Sequence, residues 1–199
     1  MPRLVLATKN KGKVREIREL LAGMPFDVIG LDNYPGLPEI VENGKTFRDN
    51  ALIKAHAVAE YVKEWTLADD SGLEVDYLNG EPGIYSARYG EPDWSDRERY
   101  EYLLAKLDGV PDALRTARFR CVVVFCRPGS GETIWADGTV EGRIASGPKG
   151  ENGFGYDPVF YLPEFHCTMA ELPEFQKNEV SHRARAMKAL IPKIEEVLR

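Results

Sequence analysis

Two adjacent carboxylates, a hydroxyl and a glycine, Asp69-Asp70-Ser71-Gly72, stand between an apolar, β-prone approach and the short run Leu73-Glu74-Val75. Side chains alternate faces along a strand, so Asp69 and Asp70 cannot both point into an apolar core. At least one of them must reach solvent, a metal or a ligand. Carboxylates are the usual ligands of a hard cation such as Mg²⁺, which binds through one or two of them together with phosphate oxygens. The composition also suits a plain turn between two strands, and a turn is the local conformation expected here.

Three further stretches carry chemistry. Thr8-Lys9-Asn10-Lys11-Gly12-Lys13 follows the apolar run Arg3 to Ala7 and precedes a helix with Val14, Ile17, Leu20 and Leu21 on one face. A strand feeding a helix through such a turn gathers backbone N–H groups at the positive helix end, a ready anion site. It is not a Walker loop: the leading glycine is missing and Val14 follows Lys13. Gly150-Glu151-Asn152-Gly153-Phe154-Gly155-Tyr156-Asp157-Pro158 sets two aromatics among glycines. Phe154 and Tyr156 could stack on a planar base there, or serve as anchors of a plain loop. In Lys177-Asn178-Glu179-Val180-Ser181-His182-Arg183, Ser181 reads as the N-cap of a final helix. His182 and Arg183 in its first turn oppose the dipole, which with Lys177 upstream suits recognition of an anion or a base.

The elements that must position these residues are legible in outline. Phe26 to Leu31 reads as a second strand, and Asn33 to Gly44 as a loop carrying Glu39 and Glu42, either of which alone suits simple solvation. Thr46-Phe47-Arg48-Asp49 opens a helix to about Val62 with Leu52, Ala55, Ala59 and Val62 inward. Pro82 to Tyr89 reads as a semi-apolar loop enclosing one cation, Arg88. Ser95-Asp96-Arg97-Glu98 is a capping box for a helix to about Leu107. Arg118 to Arg127, a Pro128–Gly131 turn and Thr133 to Ala136 form a hairpin; Thr139 to Ile144 continues it as a further strand, and Val159 to Tyr161 is another. The last helix buries Met187, Leu190, Ile194 and Val197, with Pro192 a kink. Strand–helix units followed by an antiparallel meander and a helix give a mixed α/β architecture, a sheet with helices against it in two lobes.

With 199 residues, 43% hydrophobic and 29% charged, the chain suits one globular domain spanning 1–199. A net charge of −6 argues against a nucleic-acid polymer or an anionic membrane as main partner, though not against a small phosphorylated ligand. No apolar run is long enough to span a bilayer and Met1-Pro2-Arg3 opens no signal peptide, so the expected location is cytoplasmic. Cys121, Cys126 and Cys167 show no metal-ligand spacing and read as reduced thiols, which excludes a zinc or disulfide protein.

Taken together, these stretches resemble the inosine triphosphatase family, the diphosphatases that clear deaminated purine nucleoside triphosphates. The likeness covers essentially the whole chain. The family's Thr/Ser-x-Asn-x-x-Lys is similar to Thr8 to Lys13, its Asp-Asp-Ser-Gly to Asp69 to Gly72, and its Pro-Gly-Ile-Tyr-Ser-Ala-Arg to Pro82 to Arg88. Its Phe-Gly-Tyr-Asp-Pro is similar to Phe154 to Pro158 and its Ser-His-Arg to Ser181 to Arg183, with Lys177 upstream. The resemblance implies an elongated mixed sheet flanked by helices, two lobes with an active-site cleft between them, and a cytoplasmic homodimer requiring Mg²⁺. It implies hydrolysis of the triphosphates of inosine, deoxyinosine and xanthosine to monophosphate and pyrophosphate, keeping them out of DNA and RNA. By motif match, Thr8, Lys9, Asn10, Lys11, Gly12, Lys13 and Ser71 hold the triphosphate. Asp70 is proton acceptor and metal ligand. Phe154, Gly155, Tyr156, Asp157, Lys177, His182 and Arg183 form the base and sugar pocket. The second metal-linked carboxylate falls in the loop Glu39-Ile40-Val41-Glu42-Asn43-Gly44, with Glu42 the nearer candidate by spacing and Glu39 the other.

The residues agree with that chemistry. Water attack on a polyphosphate needs neutralised charge, an oriented nucleophile and a basic carboxylate, here Asp70 or its neighbour Asp69. Donors from His182, Arg183 or backbone near Phe154 would donate to the six-carbonyl of inosine and leave adenine's amino group facing donors, a costly arrangement once buried. Two other readings compete: a related pyrophosphatase for other modified nucleotides, and a nucleotide sensor without catalysis. Two carboxylates beside anionic phosphates would serve a sensor poorly.

Overall fold

The computed structural model describes residues 1–199. Seven strands form one mixed sheet in the order β2-β1-β3-β4-β5-β6-β7. They are β1 Arg3–Leu6, β2 Asp27–Gly30, β3 Trp65–Val75, β4 Thr116–Cys126, β5 Thr133–Ile144, β6 Phe160–Leu162 and β7 Cys167–Thr168. β1 pairs in parallel with both β2 and β3, with Leu4 opposite Val28 on one side and Trp65 on the other. Leu4, Val5 and Leu6 are fully buried, as a parallel strand covered on both faces requires. β5–β6 and β6–β7 are antiparallel. The helices are α1 Lys11–Leu20, α2 Phe47–Val62, α3 Asp96–Lys106, α4 Glu174–Val180 and α5 His182–Val197.

The chain divides into two compact units, and the division falls inside β3, β4 and β5. The first comprises Met1–Asp70, Cys121–Gly138 and Arg183–Arg199; the second comprises Ser71–Arg120 and Thr139–His182. Each has its own apolar core. Leu4, Leu6, Ile17, Leu67, Val123, Phe125, Met187, Leu190 and Ile194 pack together in the first. Leu73, Leu103, Leu107, Phe119, Val140, Tyr156, Phe160 and Met169 do so in the second.

Both expected capping boxes form. Thr46 and Asp49 close the start of α2, and Ser95 and Glu98 the start of α3. The expected α/β class and the sheet with flanking helices are present, with local corrections. Asp69 to Gly72 is not a turn: β3 runs unbroken from Trp65 to Val75. The Asp-Asp pair is tolerated mid-strand because buried cations reach it. Thr133 to Ile144 is likewise one strand, carried through Asp137 and Gly138. The buried face of α2 is Phe47, Asn50, Ala51, Lys54, Ala55, Val58 and Ala59, whereas Leu52 and Val62 are only half-buried. Arg88 is exposed and lies against the exposed ring of Tyr85, 5.1 Å from its centroid. Val197 is 37% exposed, and α4 and β7 were not expected at all.

Candidate active site

In the first unit the site begins at the turn between β1 and α1. Asn10 caps α1, its side-chain oxygen accepting from the Lys13 N–H at 3.1 Å, while the Thr8 hydroxyl accepts from the Asn10 N–H at 3.2 Å. No acidic residue occupies the first turn, so the positive helix end keeps its field. Lys9 and Lys11 are exposed and line a hollow of about 420 Å³ with Thr8, Arg15, Arg18 and Asn33. Lys13 turns the other way, its ammonium 3.0 Å from Asp69 Oδ2.

β3 delivers the two carboxylates into different surroundings. Asp69 is 1% exposed, and its Oδ2 also accepts from the Arg183 guanidinium at 3.2 Å. Arg183, itself 1% exposed, extends from the first turn of α5 and donates to Glu16 Oε2 at 2.5 Å as well. Burial alone would raise the Asp69 pKa, but Lys13, Arg183 and Lys54 outweigh it and hold this carboxyl well below the usual carboxylate range. Asp69 is therefore a fixed anion and a poor proton acceptor.

Asp70 differs. Burial raises its pKa and the negative neighbours Glu42 and Asp69 add to that, against Lys54 and Lys13. A raised pKa makes Asp70 the stronger base of the pair. Its Oδ1 accepts from Lys54 Nζ at 3.3 Å, while its Oδ2 is buried with no hydrogen-bond partner. Lys54 Nζ also lies 3.0 Å from Glu42 Oε2. A cation thus already sits against both carboxylates, and the orphaned Oδ2 is a hard oxygen donor of the kind Mg²⁺ takes, so these residues fit that ion. Of the two loop candidates, Glu42 is brought to Asp70 by this shared ammonium. Glu39 lines a separate groove with Leu37, Ile40, Ile53 and Tyr61.

The loop carrying Glu42 is tied to α2. The Gly44 N–H donates to Asn50 Oδ1 at 2.8 Å, and a Cβ at residue 44 would lie 2.5 Å from Asp49 Cβ. Asn50, Lys54 and Glu16 were missed from sequence. Their signal was there: Asn50 and Lys54 recur four apart on the face of α2 that also presents Phe47, Ala51 and Val58, where an exposed polar pair has no place.

The second unit holds the aromatic–glycine loop. Asp157 Oδ2 accepts from the Phe154 N–H at 2.9 Å and from Lys177 Nζ at 2.6 Å, with both charged side chains 4% exposed. The same ammonium lies 4.7 Å from the Phe154 ring centroid. The Gly155 N–H donates to Asp96 at the start of α3. The expectation that Tyr156 could stack on a base is corrected: its ring is 5% exposed within the second core and its hydroxyl donates to the Ser86 carbonyl at 2.7 Å. Tyr156 anchors the loop and leaves Phe154 as the accessible ring. His182 is stacked on Phe119, rings 4.7 Å apart and 13° from parallel. Ser71, directly after Asp70, is half-buried.

Gly153 has φ +77°, and a Cβ there would meet Asp157 Oδ2 at 2.1 Å. Gly153→Ala is therefore expected to destabilise the protein by about 1–3 kcal/mol. A lowered urea midpoint is the readout; an unchanged midpoint would mean the loop is not built around the Asp157–Lys177 pair.

The fold and these groups define an α/β protein with a lysine-rich, capped helix start beside a carboxylate pair, one member firmly ionised and the other the stronger base. The chain belongs to the Ham1 family, whose model matches residues 4–193. It is 51% identical over 198 residues to a dITP/XTP pyrophosphatase of Shouchella clausii, covering 99% of this chain and 98% of that protein. It is 50% identical over 190 residues to one of Geobacter sulfurreducens, covering 96% and 95%. Among solved structures it is similar to a HAM1 protein from Coxiella burnetii, with TM-score 0.88, 39% identity, and 98% and 100% of the two chains covered. It is also similar to the Staphylococcus aureus Ham1 protein, with TM-score 0.85, 43% identity and 98% of each chain covered. The family resemblance carried by the sequence motifs is borne out.

Proposed function

We propose that this protein hydrolyses deaminated purine nucleoside triphosphates (ITP, dITP and XTP) to the monophosphate and pyrophosphate, removing them from the nucleotide pool. The observation that carries the reading is the division of labour at the carboxylate pair: Asp69 fixed by Lys13 and Arg183, Asp70 more basic and with one buried oxygen unbonded. The names of relatives at about half identity over nearly the whole chain support the same activity.

In this reading the Thr8–Lys13 turn and Ser71 hold the triphosphate, and Asp70 takes the proton from the attacking water. Asp70 and Glu42 would hold Mg²⁺, which when bound would neutralise charge developing on the phosphates. Asp69 holds the Lys13 ammonium at the carboxylate pair, and Arg183, expected in the base pocket, instead acts through Asp69 and Glu16, which it pairs. Phe154 offers a face for the base. Gly155, Tyr156 and Asp157 shape the loop, and Lys177 with His182 supplies donors for a carbonyl oxygen. The two units act as one domain over 1–199, a reading supported by a family match that runs across both.

A homodimer in the cytoplasm follows the family resemblance. The three free thiols and the absence of any helix long and apolar enough to cross a membrane accord with that location. A net charge of −6 accords with a small-molecule substrate and not a nucleic-acid polymer.

Product analysis with Mg²⁺ tests the activity. Monophosphate plus pyrophosphate from ITP and XTP, with little from ATP and GTP, is expected; diphosphate plus orthophosphate, or no turnover, would refute it. For Lys177→Ala the ratio of kcat/KM for ITP over ATP is expected to fall at least about tenfold, the scale of one buried hydrogen-bond donor. An unchanged ratio would place base recognition elsewhere.

A further inference from the structure

We propose that Lys54 fills the cation position of the carboxylate site in the nucleotide-free protein, so that a divalent metal binds there only by displacing its ammonium. The inference rests on the reading of Asp70 and Glu42 as metal ligands. Lys54 Nζ stands 3.0 Å from Glu42 Oε2 and 3.3 Å from Asp70 Oδ1. An ammonium brings donors only, and a hard metal ion seeks the same oxygen lone pairs, so the two cations compete for one set of acceptors.

The fold makes the ammonium a strong competitor. Lys54 is delivered by the buried face of α2, between Ala51, Ala55 and Val58, and its side chain is 11% exposed. The loop bearing Glu42 is tied to the same helix through Gly44 and Asn50, one turn before Lys54. Helix and loop thus hold the charge and one of its carboxylates together. A tethered cation competes at high effective concentration against one drawn from solution.

Lys13, the other ammonium nearby, is paired with Asp69 at 3.0 Å, which leaves Lys54 as the ammonium in contact with Asp70 and Glu42. Free metal therefore binds this site weakly. It enters with the nucleotide, whose phosphate oxygens add ligands that the two carboxylates do not supply.

The test is titration of nucleotide-free protein with Mn²⁺, followed by electron paramagnetic resonance. Lys54→Met, which keeps the stem and removes the charge, is expected to tighten Mn²⁺ binding at least about tenfold, equivalent to about 1.4 kcal/mol. Lys54→Arg should stay near the wild-type affinity. Equal affinity in Lys54→Met and wild type, with both losing the ion on Asp70→Asn, would overturn displacement while leaving the metal-site reading intact. Binding that survives Asp70→Asn would remove both. If Lys54→Met does not fold, the rate of Lys54 acetylation in the wild type, read by peptide mass spectrometry, replaces it. Added Mn²⁺ is expected to speed that acetylation several-fold. An unchanged rate at a Mn²⁺ concentration that saturates the resonance signal would overturn the displacement.

Discussion

Asp70→Asn is expected to fold normally and to lose at least about a hundredfold in kcat on ITP, the scale on which a general base acts. Asparagine has the same shape, and its carbonyl still accepts from Lys54, so the contacts of Oδ1 are kept. What disappears is the group proposed as proton acceptor and as one anionic metal ligand. A circular-dichroism melt beside single-turnover kinetics separates folding from chemistry. Turnover within about tenfold of wild type would remove Asp70 as proton acceptor, because Asp69 is held too firmly ionised to replace it.

Arg183→Met is expected to act on stability. The guanidinium is 1% exposed and neutralises Glu16 and Asp69, which are 2% and 1% exposed. Removing one partner of a buried ion pair costs about 3–5 kcal/mol, because the remaining charge stays buried. For a chain of this size that is a fall in Tm of roughly 6–20 °C. The loss should depend on pH with a definite sign. The folded-state pKa of Asp69 lies below its unfolded value, so its contribution is complete above the unfolded pKa of about 3.9 and disappears as pH falls through the lower folded value. The gap between wild type and Arg183→Met should therefore be full at neutral pH and narrow only in strong acid. A gap of under about 3 °C at pH 7 would show that Lys13 alone compensates Asp69.

Much of the fold could be read from periodicity and punctuation. Thr46 and Ser95 announce α2 and α3 because a capping box is a local device with a fixed spacing. β3 was misread at Asp69 because a mid-strand carboxylate is tolerable only if distant cations reach it. Arg183 lies 114 residues away in sequence, beyond any local pattern. Tyr156 shows the same limit: its place in a loop motif is visible, whereas its burial against Leu73, Phe119 and Phe160 depends on packing. Among the candidate residues, Asp70 and Lys13 of the first unit and Phe154, Asp157 and Lys177 of the second are legible in sequence as motif members. Glu16, Asn50 and Lys54 are not, since each lies inside a helix, where a polar or charged side chain usually means solvent. A polar residue on an otherwise apolar helical stripe is the signal that would have recovered Asn50 and Lys54.

The first core is assembled from early and late parts of the chain. Leu4, Leu6 and Ile17 wait for Ala186, Met187, Leu190 and Ile194, and Glu16 waits for a guanidinium 167 residues downstream. On a ribosome, the N-terminal strands emerge long before the helix that covers them. A nascent chain that has already made the Asp69–Asp70 strand still lacks one of its buried counter-charges. Translation that stalls before α5 would therefore leave an open apolar face with Glu16 and Asp69 behind it lacking the guanidinium they share, a state that chaperones and proteases recognise.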